Sequence, residues 1–214
     1  MAQEAIGRRG LLAEKREAIV LAAREVFLRE GFARASVDAI AATAGVSKRT
    51  VYNHYADKER LFLSVIEETV APVIAGFVQI AERHLGDVTD LEADLNAFGR
   101  DWVRLTVVFP EHPALLRLVI AEATHFPSLV EAWRGAGSAR GGRVLAEHLR
   151  RIGDRGLLAI PDADEAARHL TALVCNPPQS RSFFGTRPLA DAEIDDLVGS
   201  AIRAFLRIYR PAER

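Results

Sequence analysis

A single cysteine, Cys175, stands in 214 residues. That excludes an intrachain disulfide and a zinc cluster built on several thiolates, and it suits a reducing compartment, so the cytoplasm is the expected location. Aromatic residues make up only 7% of the chain, so aliphatic side chains must fill most of the core. The apolar–polar alternation of half-buried strands is nearly absent, while long stretches with a 3.6-residue period dominate, which predicts an all-α fold. No apolar run approaches the roughly 18 residues that cross a bilayer. The opening MAQEAIGRRGLL lacks the apolar stretch and cleavage site of a signal peptide, so no membrane partner is expected. Also missing are a G-x-S-x-G turn, a phosphate loop, a G-x-G-x-x-G fingerprint and paired metal-ligand motifs. The expectation is therefore no enzyme, no catalytic residues, no cofactor and no metal. Glu122 and His125 lie three apart, but two ligands alone make a poor metal site.

What is present is a charge division and one compact motif. Residues 1–60 carry 11 Lys/Arg against 8 Asp/Glu, a net +3, whereas the remainder carries 17 against 21, a net −4. A basic N-terminal part on an acidic body suits a nucleic-acid-reading head, although a three-charge excess alone is ordinary scatter.

The motif is Ser36–Lys58, SVDAIAATAGVSKRTVYNHYADK. Ser36 is placed to cap a short helix in which Val37, Ile40 and Ala41 recur at helical spacing. Ala44-Gly45-Val46 forms a turn, with Gly45 at a position of positive φ where a Cβ would clash. Ser47 caps a second helix whose Val51 and Tyr55, four apart, face inward. Lys48, Arg49, Thr50, Tyr52, Asn53 and His54 are left on or near the outer side. A helix, a glycine turn and a polar, basic helix make a helix-turn-helix, whose second helix enters the major groove. Ser36, Ser47, Tyr52 and Lys58 suit phosphate oxygens, and Lys48, Arg49, Thr50, Asn53 and His54 are the base-reading candidates.

The run AGVSKRTVYNHYADKERLF resembles the signature of the TetR family of transcriptional regulators. Ala44, Gly45, Val46, Ser47, Thr50, Val51, Tyr52, His54, Lys58 and Leu61 fit it, with Tyr55 where phenylalanine is commoner. Arg24, Glu25, Phe27, Gly31 and Phe32 extend the likeness upstream. Arg117–Leu129 and Asp162–Leu170 are similar to the AefR-like C-terminal domains of one TetR subgroup. The resemblance implies a three-helix DNA-binding head over residues 1–60 and a ligand-binding and dimerisation domain over 61–214. It also implies a homodimer paired through about 163–176 and 191–209, a palindromic double-stranded DNA operator, and release by a small-molecule effector.

Along the chain, residues 1–10 read as an arm in which Arg8 and Arg9 are candidates for DNA contact. Helices are expected over about 12–30, 37–44, 48–55, 58–85, 91–108, 113–123, 128–152 (loosened around 135–142), 163–174 and 191–209. The fourth carries Pro72 as a possible bend, and Asn176-Pro177-Pro178 is expected to stop the eighth. The aromatics Phe98, Trp102, Phe109, Phe126, Trp133 and Phe183, with His125, are the candidate lining of an apolar or amphipathic ligand pocket, against the plainer alternative that each is core.

Overall fold

The computed structural model describes residues 2–108 and 111–211, and all regular structure among them is helical. The helices are α1 (Ala2–Glu30), α2 (Val37–Thr43), α3 (Lys48–His54), α4 (Lys58–Leu85), α5 (Leu91–Val108), α6 (Glu111–Glu122), α7 (Pro127–Trp133), α8 (Ala139–Asp154), α9 (Ala163–Arg181) and α10 (Asp191–Tyr209), with a π-helical turn at Arg134–Ser138. The chain forms two compact units. The first runs to Thr69 and also takes in Leu118–Trp133; the second comprises Val70–Arg117 and everything from Arg134 onward.

The first unit is centred on phenylalanines. Phe27 from α1, Phe32 after it and Phe62 from α4 are almost wholly buried. Their rings meet edge-on or tilted, Phe27 to Phe62 at 4.8 Å and Phe32 to Phe62 at 5.1 Å between centroids. Ile19, Ala23, Val26, Ile40, Val51, Leu61 and Val65 close around them. Each such side chain removed from water contributes about 1.5–3 kcal/mol, enough to hold the seven-residue helices α2 and α3, which would not persist alone. The Leu118–Trp133 segment belongs here because Phe126 packs edge-on against Phe32 at 4.7 Å. The Glu122 carboxylate also accepts from the Ala33 amide at 3.3 Å, and the Ser128 hydroxyl donates to Glu59.

The second unit buries Phe77 and Leu85 of α4, Leu95, Phe98 and Trp102 of α5, Leu145, Leu149 and Ile152 of α8, Leu170 and Val174 of α9, and Ile194, Val198, Ile202 and Phe205 of α10. Gly99 lets α5 and α10 approach closely, since a Cβ there would lie 2.7 Å from the Val198 Cγ1. Gly99→Val is accordingly expected to destabilise the protein by about 1–3 kcal/mol through overpacking. Thermal unfolding followed by circular dichroism checks this, with Gly142→Ala, whose Cβ meets nothing within 4 Å and which gains helix propensity, as the control expected not to destabilise.

Three expectations are corrected. Helix α1 begins at Ala2, not after an arm of ten residues: with no proline before Pro72, Gly7 and Gly10 weaken the helical run without terminating it. Helix α9 runs through Pro177 and Pro178 to Arg181 instead of stopping at them. Proline φ is helical, so the chain can continue through the pair, at the cost of two amide donors and of crowding between each ring and the carbonyl one turn back. Pro178 is buried, and its carbonyl still accepts from Ser182 N at 2.9 Å. Finally, α4 is by length and composition apolar enough to cross a membrane, although half of its most apolar window is buried inside the protein. Glu67 and Glu68 interrupt the run without lowering its mean hydropathy enough to exclude it. The π-helical turn with Gly135 and Gly137 falls where the seventh helix was expected to loosen, Asp162 caps α9 by accepting from Glu165 N at 2.9 Å, and Pro72 lies inside α4.

Candidate nucleic-acid interface

The site is assembled by three backbone terminations. Gly31, at φ 82°, ends α1 with its amide on the Phe27 carbonyl at 2.9 Å. Its left-handed conformation sends the chain back so that Phe32 plugs the core. Ser36 then caps α2, its hydroxyl accepting from Ala39 N at 3.1 Å. At the far end Gly45 adopts φ 65°, its amide on the Ala42 carbonyl and the Val46 amide on the Ala41 carbonyl. This double closure is the Schellman arrangement, which sets the angle between α2 and α3. Ser47 caps α3 by accepting from Thr50 N at 3.1 Å, and its hydroxyl also pairs with the Thr50 hydroxyl at 2.8 Å. Both capping hydroxyls accept through a lone pair, which leaves hydroxyl protons in this group able to donate to an anion.

Helix α3 is anchored from within by Val51, buried, and by Tyr55, which closes its C-terminus and takes a hydrogen bond from Arg16 Nε at 3.4 Å. The inward pair foreseen from the spacing is therefore as expected. Outward, Lys48, Arg49, Tyr52 and Asn53 are exposed and Thr50 is half-buried. Such a strip offers cations, an amide and hydroxyls along one side of a short helix, the chemistry that bonds phosphates and base edges. Lys48 Nζ is 2.9 Å from Asp38 Oδ2, at the start of α2. The hydrogen bond and charge of Asp38 raise the ammonium above its ordinary pKa. Sequence reasoning passed over Asp38, although it is the only acid between Glu30 and Asp57.

Two predicted members stand apart. His54 is half-buried and lines a surface groove with Arg16, Tyr55, Ala56, Arg60, Leu63, Ser64 and Glu67, away from the exposed strip. Lys58 is turned into the head instead of outward. Its ammonium donates to the carbonyls of Phe32 at 2.8 Å, Ala33 at 3.1 Å and Ala35 at 3.0 Å, and lies 4.7 Å from the Phe32 ring centroid. All three N–H bonds are thereby spent on backbone oxygens, so the expected phosphate contact is corrected to a clamp on the α1–α2 connection. The signal that might have found it is the turn itself, whose carbonyls cannot all be satisfied by its own amides.

The proposed pocket residues are divided between the two units. Phe98 and Trp102 sit in the core of the second unit with Phe77, centroids 4.9–5.8 Å apart. Phe126 is committed to Phe32 in the first unit, which also contains His125 and Trp133. Phe183 is 71% exposed, and Phe109 lies outside the described residues. Arg8 and Arg9 fall in the described helix, but their side chains lie outside the described part. Cys175 is held inert: burial pushes its thiol up to about 12, so thiolate is scarce at neutral pH.

Comparison with known proteins agrees with this geometry. Residues 19–65 match the family described as bacterial regulatory proteins, tetR family, and residues 93–211 match the AefR-like transcriptional repressor C-terminal domain. The chain is 35% identical over 85 residues to the HTH-type transcriptional activator FasR of Mycolicibacterium smegmatis. That stretch covers 40% of this chain and 39% of the relative's length. A TetR-family transcriptional regulator from Mesorhizobium loti superposes with a TM-score of 0.84 at 30% identity, covering 94% of this chain and 98% of the other. The flavonoid-responsive regulator FrrA superposes at 0.68 with 29% identity, covering 94% and 100%. A DNA-reading head of this build, joined to a C-terminal domain that matches over more than half the chain, makes this protein a member of the TetR family of transcriptional regulators.

Proposed function

We propose that this regulator is a cytoplasmic homodimeric repressor that binds a short inverted repeat and leaves it when a small apolar or amphipathic molecule enters its C-terminal domain. The observation that carries the DNA reading is the exposed strip of α3. Arg49 and Asn53 there suit guanine and adenine edges, and Tyr52 with the Ser47 hydroxyl suits phosphates. One short helix spans too few base pairs to be selective against a genome, which argues for two heads on one symmetric site. Pairing through α9 and α10 is supported by Ile208, 58% exposed, which lies with the partly buried Leu197 and Ala204 on one side of α10. Repression is favoured by the description of the matched C-terminal domain. The effector class is favoured by the flavonoid response in the name of FrrA.

Selection of bound sequences from a random duplex library at two salt concentrations tests the reading. A two-fold symmetric motif, bound by a species of twice the chain mass and released by a member of a flavonoid and fatty-acid panel, is the expected result. Salt-sensitive binding without a motif would overturn it.

A further inference from the structure

Asp38 is an anomaly on this surface. It is the only carboxylate between Glu30 and Asp57, it is exposed in the first turn of α2, and it stands beside the helix that must approach a polyanion. A lone carboxylate there is repelled by phosphates. Its place in the first turn suits the α2 macrodipole, a small gain that repulsion by phosphates offsets unless the carboxylate also does something specific. The structure shows what holds it: Lys48 Nζ, at 2.9 Å, from the first residue of α3. The two side chains are 68% and 51% exposed, so the pair is neither shielded nor needed to satisfy a buried group, and as a stabilising contact it is weak.

The pair does match one feature of the major groove. The edge of a G·C pair presents guanine O6, an acceptor, directly beside the cytosine N4 amino group, a donor, at the hydrogen-bond separation of about 2.9 Å. An ammonium and a carboxylate the same distance apart are the complement of that edge. Resting on the DNA-binding reading above, we infer that Asp38 and Lys48 together read one G·C base pair, Lys48 donating to guanine O6 and N7 while Asp38 accepts from cytosine N4. Because donor and acceptor come from different helices, α2 and α3, the reading is oriented. A C·G pair places the amino group under the ammonium and the carbonyl under the carboxylate. A T·A pair keeps the acceptor–donor order through thymine O4 and adenine N6 but has no acceptor N7 on the Lys48 side. The predicted ranking at this position is G·C, then T·A, then A·T and C·G. Asp38 is thus a specificity residue that penalises wrong sequences as well as favouring the right one.

The test uses the full-length protein and the motif selected for it. All four base pairs are placed in turn at each motif position, and binding is measured by fluorescence anisotropy for wild type, Asp38→Asn, Asp38→Ala, Lys48→Met and the double variant. Wild type is expected to favour G·C over C·G by about tenfold or more at one position per half-site. Asp38→Asn and Asp38→Ala are expected to erase most of that ratio there and nowhere else, and Asp38→Ala to raise affinity for a scrambled duplex several-fold. Lys48→Met should flatten the same position, and the double variant should flatten it no further. A motif in which Asp38 and Lys48 variants flatten different positions, or change every position alike, overturns the pair-reading while leaving the regulator reading intact. A wild type that selects no motif overturns both. Unchanged thermal midpoints for the Asp38 variants are expected, and a loss of several degrees would count against a reading role.

Discussion

Replacing Arg49 and Asn53 together with alanine should reduce binding to the selected operator by about 10²- to 10⁴-fold while leaving binding to scrambled DNA within a few-fold of wild type. Each exposed side chain is offered as a base-edge contact, and each such contact contributes about 1–3 kcal/mol of discrimination. The fold should not suffer, because neither residue is buried and α3 is anchored from its other side by Val51 and Tyr55. Tyr52→Phe makes the contrasting comparison. Its hydroxyl is a phosphate-type donor on a half-exposed ring, 47% accessible, so its loss should weaken all sequences alike. Anisotropy titrations against the operator and its point variants separate the two classes. Equal losses on all duplexes for Arg49→Ala and Asn53→Ala would refute the division between base reading and positioning.

Lys58→Met should lower the thermal midpoint by about 5–10 °C. The substitution keeps the apolar stem but strips three backbone carbonyls, two of them in part-buried hydrogen bonds, of their only charged donor. Hydrogen bonds to charged groups are worth about 1.5–3 kcal/mol, and leaving acceptors unsatisfied adds to the loss. Water can replace part of the donor at this partly exposed site, so the net cost is set at about 2–3 kcal/mol, which corresponds to that shift for a chain of this size. The cation also leaves the face of Phe32, which costs up to about 1 kcal/mol more at such a partly exposed site. The same variant separates the clamp from a phosphate contact. A clamp predicts a lowered midpoint and an unchanged dependence of affinity on salt, measured well below the midpoint. A phosphate contact predicts an unchanged midpoint and a salt slope smaller by about one.

How much of this was legible in the sequence follows from the range over which each feature is determined. The caps Ser36 and Ser47, the left-handed Gly45 and the inward Val51 and Tyr55 were readable because each depends on neighbours within five residues. The role of Lys58 was not legible: its partners lie 23 to 26 residues away in sequence. Phe126 misled for the same reason. An aromatic in the C-terminal domain looked like a pocket wall, yet its partner is Phe32, 94 positions earlier. The prolines of α9 misled differently. Local chemistry argues for a stop at Pro177, but burial of Pro178 and the hydrogen bonds of the following turn outweigh two lost amide donors.

The sequence by itself determined that this protein is helical, that its N-terminal part is a helix-turn-helix of the TetR kind, and which side of α3 faces outward. These follow from period, caps and glycine conformation, all short-range. Only the tertiary structure decided which polar side chains are free to meet DNA and which are already engaged. A lysine's task depends on what lies within 3 Å of its ammonium. Lys48 found a carboxylate on a neighbouring helix, and Lys58 found three carbonyls of a turn. In neither case does the chain between the partners say that they will meet.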